Sequence, residues 1–230
     1  VKKEYPIDIA VFNSDAKDDD SLKIIVECKK KTRKDGLSQL KNYLTLSRAN
    51  LGVWFNGDEK LYIRKIERAG RVEFYEIPNI PKFGQRVEDV GLFLRKDLIP
   101  AINLKSIFKT IRNYLAANVV GATRDEVLAQ QLINIIFCKI YDEKFTKPDE
   151  MVTFRSGVDE EPKIVAERIK DLFVKVKNNY TDVLDFGDEI TLDDKSLNYV
   201  IGELQQYSLM NAHRDAIGDA FEVFIGHALK

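Results

Sequence analysis

The chain has 230 residues, of which 44% are apolar and 32% charged, with a formal net charge of −1. This apolar content can form a packed core, which argues against a disordered chain. The two cysteines, Cys28 and Cys138, exclude a disulfide framework, and no apolar run approaches the roughly 20 residues of a membrane span. We therefore expect a globular protein of the reducing cytoplasm. Because the chain starts at Val1, we expect it to be a fragment of a longer protein.

Charge is unevenly divided along the chain. Residues 1–110 contain 22 Lys and Arg against 16 Asp and Glu, a balance of +6. Residues 111–230 contain 14 against 21, a balance of −7. A basic half followed by an acidic half suggests two units with different partners. The basic half is suited to contact phosphate, although solvated lysine surfaces are common in proteins without that role.

The first half combines short strands with one helix. Strands are predicted at Tyr5–Phe12, Lys23–Lys29 and Leu51–Gly57, because these runs are short, apolar and bounded by turn residues. Trp54 is expected in the core or at the sheet edge. After Gly36, apolar residues recur at three-to-four spacing, which predicts a helix. Its apolar side consists of Leu37, Leu40, Tyr43, Leu44 and Leu46.

A β-hairpin and a connector follow. The runs KLYIRKI and VEFYEI flank Ala69 and Gly70, which predicts a tight turn between two paired strands. Prolines and glycines then indicate an irregular connector before the helical half. They are Pro78, Pro81, Gly84 and Gly91.

The second half is predicted to be all-helical, over residues 103–230. Four segments carry the helical spacing: Ser106–Asn118, Thr123–Phe145, Pro162–Tyr180 and Asp194–Leu209. Thr123, with Glu126 three residues later, fits an N-terminal capping box. The predicted fold class is therefore α/β, a mixed sheet flanked by helices over residues 1–100, followed by an all-helical domain over residues 103–230.

Charged residues interrupt the first two predicted strands. Asp8 lies in the first strand, and Glu27 and Lys29 share one face of the second while Cys28 points away. If the strands pair, Asp8 lies beside Glu27, and two neighbouring carboxylates require a cation. Mg²⁺ is suited to this because it takes oxygen ligands, with the Cys28 carbonyl as a third protein oxygen. Lys29 can orient a water, lower its pKa, or stabilise charge on a phosphate.

This arrangement resembles the PD-(D/E)xK nuclease superfamily, in which an acid on one strand precedes Asp/Glu-x-Lys on the next. The stretch ECKKKTRKDGLSQLKNYL is similar to the N-terminal nuclease domain of type I restriction enzyme R subunits, which carries a further Gln-x-x-x-Tyr element. Here that element is Gln39 and Tyr43, on one helical face. The family's Pro-Asp pair appears as PID, with Ile7 inserted, and its additional helical Glu would lie upstream of Val1.

The resemblance implies a restriction-endonuclease-like fold and Mg²⁺-dependent cleavage of double-stranded DNA, with Mn²⁺ able to substitute. It assigns metal binding to Asp8, Glu27 and the Cys28 carbonyl. The catalytic set it implies is Asp8, Glu27, Lys29, Gln39 and Tyr43. Two alternatives remain open: Glu27 and Lys29 lie at a strand end that reaches solvent, with a cross-strand ion pair, and Tyr43 packs in the core with Gln39 capping it.

A basic run follows the predicted site. It consists of Lys30, Lys31, Arg33 and Lys34. Beside a nuclease site, these residues are expected to contact DNA phosphates and release counterions. A solvated loop is the alternative interpretation of the same run.

The last 21 residues, MNAHRDAIGDAFEVFIGHALK, resemble the segment that precedes the catalytic core of N6-adenine DNA methyltransferases. The resemblance rests on Asp215, Gly218, Phe221 and Glu222. It implies that the helical half connects the nuclease to a methyltransferase core absent from this chain. S-adenosylmethionine is then a cofactor only if the full-length protein carries that core.

The expected function is thus a metal-dependent restriction endonuclease within a restriction–modification protein. The expected partners are double-stranded DNA and the domains or subunits for methylation and specificity. No association with a membrane is expected. Two other functions stay open: a non-catalytic DNA-binding or docking module that keeps the nuclease fold, and a repair or recombination nuclease.

Overall fold

The computed structural model describes residues 6–31, 33, 35–57, 59–119, 125–185 and 187–212. The chain divides into two compact units, Val1–Ile80 and Pro81–Lys230. The first contains a sheet and one described helix, and the second is mainly helical. This confirms the predicted α/β class followed by a helical region.

The first unit is built on a five-stranded sheet in the order β1-β2-β3-β4-β5. The strands are β1 (Ile9–Phe12), β2 (Leu22–Cys28), β3 (Leu51–Phe55), β4 (Lys60–Arg68) and β5 (Arg71–Ile77). Helix α1 (Gly36–Leu46) connects β2 to β3. Because α1 is a crossover connection, β2 and β3 run parallel, whereas the other neighbouring pairs are antiparallel.

The predicted hairpin is confirmed. Arg68 pairs with Arg71 across a two-residue loop, Ala69 and Gly70, whose φ angles are +48° and +75°. Two central residues with positive φ are the tight turn that matches the twist of the flanking strands. A two-residue turn therefore connects β4 directly to β5.

Helix α1 packs on one face of the sheet. Its buried side chains Leu40, Tyr43 and Leu44 join Ile25 and Trp54 in one apolar cluster. The helix lies so close to β3 that a Cβ on Gly52 would be 2.8 Å from Leu44 Cδ1. The core of this unit thus holds the ends of β2 and β3 against α1.

Two details of the predicted first unit were wrong. Asp8 stands immediately before β1, because the ladder with β2 begins at the pair Ile9–Val26. Leu46, predicted on the apolar side of the helix, is 63% exposed because it follows the buried Leu44 by two residues and therefore lies on the opposite side of α1.

The second unit contains four α-helices among its described residues. They are α2 (Leu104–Asn118), α3 (Asp125–Phe145), α4 (Pro162–Asn179) and α5 (Asp194–Leu204). A short parallel pair joins β6 (Ile99–Pro100) to β7 (Tyr207–Ser208). Shortly after the predicted connector, Leu94 forms an isolated bridge with Met151.

Helix α5, the last of the four helices predicted for the second half, ends earlier than predicted. It begins after Asp193, whose carboxylate accepts the backbone N–H groups of Lys195 and Ser196. It ends at Leu204, and residues 205–209 include β7 instead of a further helical turn. The predicted cap Thr123 lies outside the described residues.

No helix in the described ranges is long and apolar enough to cross a membrane. The methyltransferase-like positions Asp215, Gly218, Phe221 and Glu222 lie outside the described residues, so that resemblance stays a prediction. The assignment of functions to residues 1–100 and 103–230 also stays a prediction.

Candidate active site

The predicted acids meet at the ends of β1 and β2. The antiparallel register places Asp8 next to the end of β2, and Asp8 Oδ2 accepts the backbone N–H of Cys28 at 2.7 Å. Asp8 is exposed, whereas Glu27 is only 1% exposed. One carboxylate at the surface and one in the interior therefore belong to the same corner of the sheet.

Glu27 is buried on the face of β2 that α1 covers. Its Oε1 accepts a hydrogen bond from Lys29 Nζ, which also makes this contact an ion pair. Its Oε2 is buried and has no hydrogen-bond partner among the described residues. The alternative of a solvated strand-end pair is wrong, because the Glu27 side chain is 2% exposed and that of Lys29 only 18%.

Lys29 is tied to helix α1 by a second hydrogen bond. Its Nζ donates to Gln39 Oε1 at 3.1 Å, and Gln39 Nε2 donates to Tyr43 OH. Because Gln39 and Tyr43 are four residues apart, both lie on the helical face that looks toward β2. The result is one hydrogen-bonded chain, Glu27–Lys29–Gln39–Tyr43, which joins the strand end to the helix.

The carboxylates of Asp8 and Glu27 also raise the pKa of the neighbouring groups Lys29 and Cys28. The hydrogen bond that Lys29 donates to Glu27 raises the pKa of Lys29, burial acts in the opposite direction, and the charges of Glu27, Asp8 and Asp35 add to the increase. Lys29 therefore stays a cation at neutral pH. Burial raises the pKa of the Cys28 thiol, and the Asp8 and Glu27 charges raise it further. Cys28 is thus a protonated thiol and no nucleophile.

The predicted DNA-binding run forms the connection between β2 and α1. Lys30, Lys31 and Arg33 are exposed, whereas Lys34 lies outside the described residues. Arg33 makes two side-chain hydrogen bonds to Asp35, so part of its charge is already paired. Lys30 and Lys31 are the two lysines of this run that the structure shows at the surface.

Trp54 and Gly36 also belong to the site, which the sequence did not reveal. The parallel register pairs Trp54 with Glu27 on the same face of the sheet. A Cβ on Gly36 would be 2.7 Å from Trp54 Nε1 and 2.8 Å from Lys29 Cε. Trp54 was expected in the core or at the sheet edge, and it is in the core, 3% exposed. Each is the next-to-last residue of its strand, but the parallel pairing that brings them together has no signal in the local sequence.

The protein oxygens that could hold a divalent cation are few. No group of three or more His, Cys, Asp or Glu side chains forms a metal-ligand cluster in the part of the chain that the structure describes. Asp8 and Glu27 supply two carboxylates, and the Glu27 Oε2 atom accepts no hydrogen bond from the described residues. One or two carboxylates plus waters are the usual ligands of Mg²⁺, so this donor set fits that ion.

Comparison with known families agrees with the geometry. Residues 2–81 match the family model described as type I restriction enzyme R protein N terminus. This match supports a restriction-enzyme nuclease-like domain. The matched range almost coincides with the first compact unit, Val1–Ile80, which contains the hydrogen-bonded chain from Glu27 to Tyr43. No curated protein matches the chain.

Proposed function

We propose that the first unit is a PD-(D/E)xK deoxyribonuclease domain of a restriction–modification protein, which hydrolyses phosphodiester bonds of double-stranded DNA with Mg²⁺. The observation that carries this proposal is the hydrogen-bonded chain Glu27–Lys29–Gln39–Tyr43 beside Asp8. Five residues that are dispersed over 36 positions of the sequence converge at one corner of the sheet.

Each member of the chain has a distinct role in this proposal. Lys29 supplies a fixed positive charge for the scissile phosphate, where negative charge develops during hydrolysis. Gln39 orients Lys29 by accepting one of its N–H groups, and Tyr43 orients Gln39. Because Tyr43 is only 6% exposed, the core fixes the far end of the chain. Preorganisation of this kind lowers the reorganisation cost at the moment of reaction.

Asp8, Glu27 and the Cys28 carbonyl would hold the cation. When bound, Mg²⁺ supplies a Lewis acid for the phosphate and lowers the pKa of a water. Asp8 would contribute from the exposed side and Glu27 from the buried side, because their burial differs so strongly. Mn²⁺ has similar ligand preferences and would substitute for Mg²⁺.

Lys30 and Lys31 would contact the DNA backbone next to this corner. Both are exposed and directly follow Lys29, so they are suited to position a duplex by its phosphates without reading its sequence. Methyltransferase and specificity domains or subunits are the proposed partners, since the family in question is a component of restriction enzymes. S-adenosylmethionine would act only through such a partner or domain.

A second function is favoured by one specific observation. The ammonium of Lys29 already neutralises Glu27, whose side chain is 2% exposed. A chain that kept this ion pair permanently would be a non-catalytic DNA-binding module with the nuclease fold. Such a module would bind DNA without cutting it, and Asp8→Ala would leave its DNA affinity unchanged.

Cleavage of supercoiled and linear double-stranded DNA by the full-length protein tests the proposal. In Mg²⁺ or Mn²⁺, we expect Lys29→Met and Glu27→Gln to lower the rate at least about 100-fold, the usual scale for loss of charge stabilisation. Lys23→Met is the control, because Lys23 is an exposed lysine on the same strand. It should cut at the normal rate, whereas normal cutting by Lys29→Met would exclude the proposal.

A further inference from the structure

The side chain of Lys29 reaches its partners over the first residue of α1. A Cβ built on Gly36 would be 2.8 Å from Lys29 Cε and 2.9 Å from Lys29 Cγ. Real Cβ atoms essentially never approach other heavy atoms closer than 3.0 Å. The aliphatic stem of Lys29 therefore lies in the space that a side chain at position 36 would occupy.

The other side of this space is closed by the core. The same Cβ would be 2.7 Å from Trp54 Nε1, and the Trp54 side chain is packed in the apolar cluster with Leu40 and Ile63. Nε1 is buried and donates to no acceptor among the described residues, so no hydrogen bond holds it away from Gly36. Because close-packed cores resist displacement, the stem of Lys29 is the part that must move if position 36 gains a methyl group.

Backbone conformation does not explain a glycine here. The φ of Gly36 is outside the left-handed range that side chains avoid. Alanine is favoured over glycine within helices. Space, and not backbone freedom, therefore distinguishes Gly36 from other residues at the start of α1.

We propose that Gly36 is a positioning residue of the candidate nuclease site, because its missing side chain leaves the space in which the Lys29 stem lies. The stem is confined between Gly36 and Trp54, and its ammonium is thereby aimed at Glu27 and Gln39. This inference rests on the proposed function for its catalytic meaning. Its structural content concerns only Gly36, Lys29 and Trp54, so it can be tested without a cleavage assay.

The first test measures how firmly the Lys29 ammonium is held. Reductive methylation of the folded chain, followed by mass spectrometry, gives a modification rate for each lysine. We expect Gly36→Ala to raise the Lys29 rate at least about tenfold, since the ammonium loses two hydrogen bonds. The exposed Lys30 and Lys31 serve as internal references whose rates stay unchanged. An unchanged Lys29 rate in Gly36→Ala would overturn the inference.

Gly52→Ala is the matched control. Its Cβ would also be too close to its neighbours, at 2.8 Å from Leu44 Cδ1 and 3.1 Å from Leu40 Cδ1, in the same contact between α1 and the sheet. It should therefore destabilise the unit but leave the Lys29 methylation rate at the normal value. Equal increases in both variants would show general loosening of α1 and would also overturn the inference.

A second measurement covers the case in which Gly36→Ala folds poorly. If the added methyl group acts by crowding Lys29, its effect on the urea midpoint should be at least halved in a Lys29→Ala background. Equal shifts in both backgrounds would contradict the inference.

In cleavage assays of folded protein, Gly36→Ala should lower kcat and leave KM for DNA unchanged. A wild-type protein that cuts no DNA would overturn the proposed function alone, since methylation and stability do not depend on it.

Discussion

At the scale of single residues, the site combines the buried carboxylate of Glu27 with Lys29, which donates to both Glu27 and Gln39. Glu27 is placed in the interior by the same alternation that buries Ile25 on β2, although a carboxylate there is costly without a cation. Lys29 compensates this charge and is in turn held by Gln39. The stability of the first unit and the proposed chemistry therefore depend on the same ion pair.

Removal of Lys29 should destabilise the first unit through Glu27. Lys29→Met leaves a buried, unpaired carboxylate, and we expect a loss of about 3 kcal/mol in the free energy of unfolding. Lys29→Met combined with Glu27→Gln removes the buried charge and should recover most of this loss. Urea unfolding followed by fluorescence is specific for this unit, because Trp54 is the only tryptophan. A double variant as unstable as Lys29→Met would contradict this explanation.

The same ion pair predicts a dependence on alkaline pH. The pKa of Lys29 is raised in the folded state, mainly by the hydrogen bond to Glu27. A raised lysine pKa contributes stability that is fully present below the unfolded pKa of about 10.4 and is lost as pH rises through the folded value. The stability difference between the wild type and Lys29→Met should therefore shrink as the pH rises above about 10.4. A constant difference over this range would show that Lys29 titrates as it does in the unfolded chain.

At the scale of elements, helix α1 depends on a lysine from β4. Lys65 is 7% exposed, and its Nζ donates to the carbonyls of Leu44 and Ser47 at 2.8 Å and 2.7 Å. These carbonyls belong to the C-terminal end of α1, where helices lack internal donors and favour positive charge. Lys65 thus fixes the end of the helix opposite to Gly36.

Lys65→Met should lower the free energy of unfolding of the first unit by about 2 kcal/mol, because one buried and one part-buried carbonyl lose their donor. Trp54 fluorescence in urea is the measurement, as for the ion pair. Lys23→Met removes an exposed lysine from the same sheet and should change the stability by less than about 0.5 kcal/mol. Equal effects of the two substitutions would contradict a capping role for Lys65.

In the second unit, Glu143 of α3 fixes the segment that follows α5. Its carboxylate pairs with Lys139 at 3.4 Å, and both side chains are fully buried. It also accepts hydrogen bonds from Ser208 Oγ and from the backbone N–H groups of Leu209 and Met210. One carboxylate therefore satisfies a buried cation and three donors, and it ties the segment after α5 to α3.

Glu143→Ala should lower the stability of the second unit by about 4 kcal/mol, since it leaves a buried charge and several donors unpaired. Thermal unfolding followed by circular dichroism is the measurement, because the unit is largely helical and contains no tryptophan. Glu167→Ala is the control, as Glu167 forms only an exposed pair with Lys163 on α4. It should change the stability by less than about 0.5 kcal/mol.

At the scale of the whole molecule, the features that local sequence patterns determine could be predicted more fully than the features that tertiary contacts determine. The class of each half, the hairpin at Ala69 and Gly70, and the convergence of Asp8, Glu27, Lys29, Gln39 and Tyr43 could be predicted. Alternation along β2 and the four-residue spacing on α1 are properties of short segments, and family resemblance supplied the link between them.

What the sequence could not predict depends on register and on close approach. The proximity of Trp54 to Glu27 requires the parallel pairing of β2 with β3, which no local pattern specifies. The path of the chain after α5 is fixed by Glu143, more than 60 residues earlier, which binds the backbone at Leu209. The burial of Lys65 likewise depends on where α1 ends, and only the tertiary structure shows that.

Titration of Mn²⁺ into the chain tests the central claim, a divalent-metal site at Asp8 and Glu27, most directly. Calorimetry gives the stoichiometry, and quenching of Trp54 fluorescence locates the ion beside Glu27, its partner in the sheet register. Asp35→Asn is the control, because Asp35 is an exposed carboxylate near Lys29 that pairs with Arg33. We predict one bound ion in the wild type and in Asp35→Asn, and none in Asp8→Ala or Glu27→Ala. Absence of binding in the wild type, or binding that both acid variants retain, would contradict a metal-dependent nuclease site at this corner of the sheet.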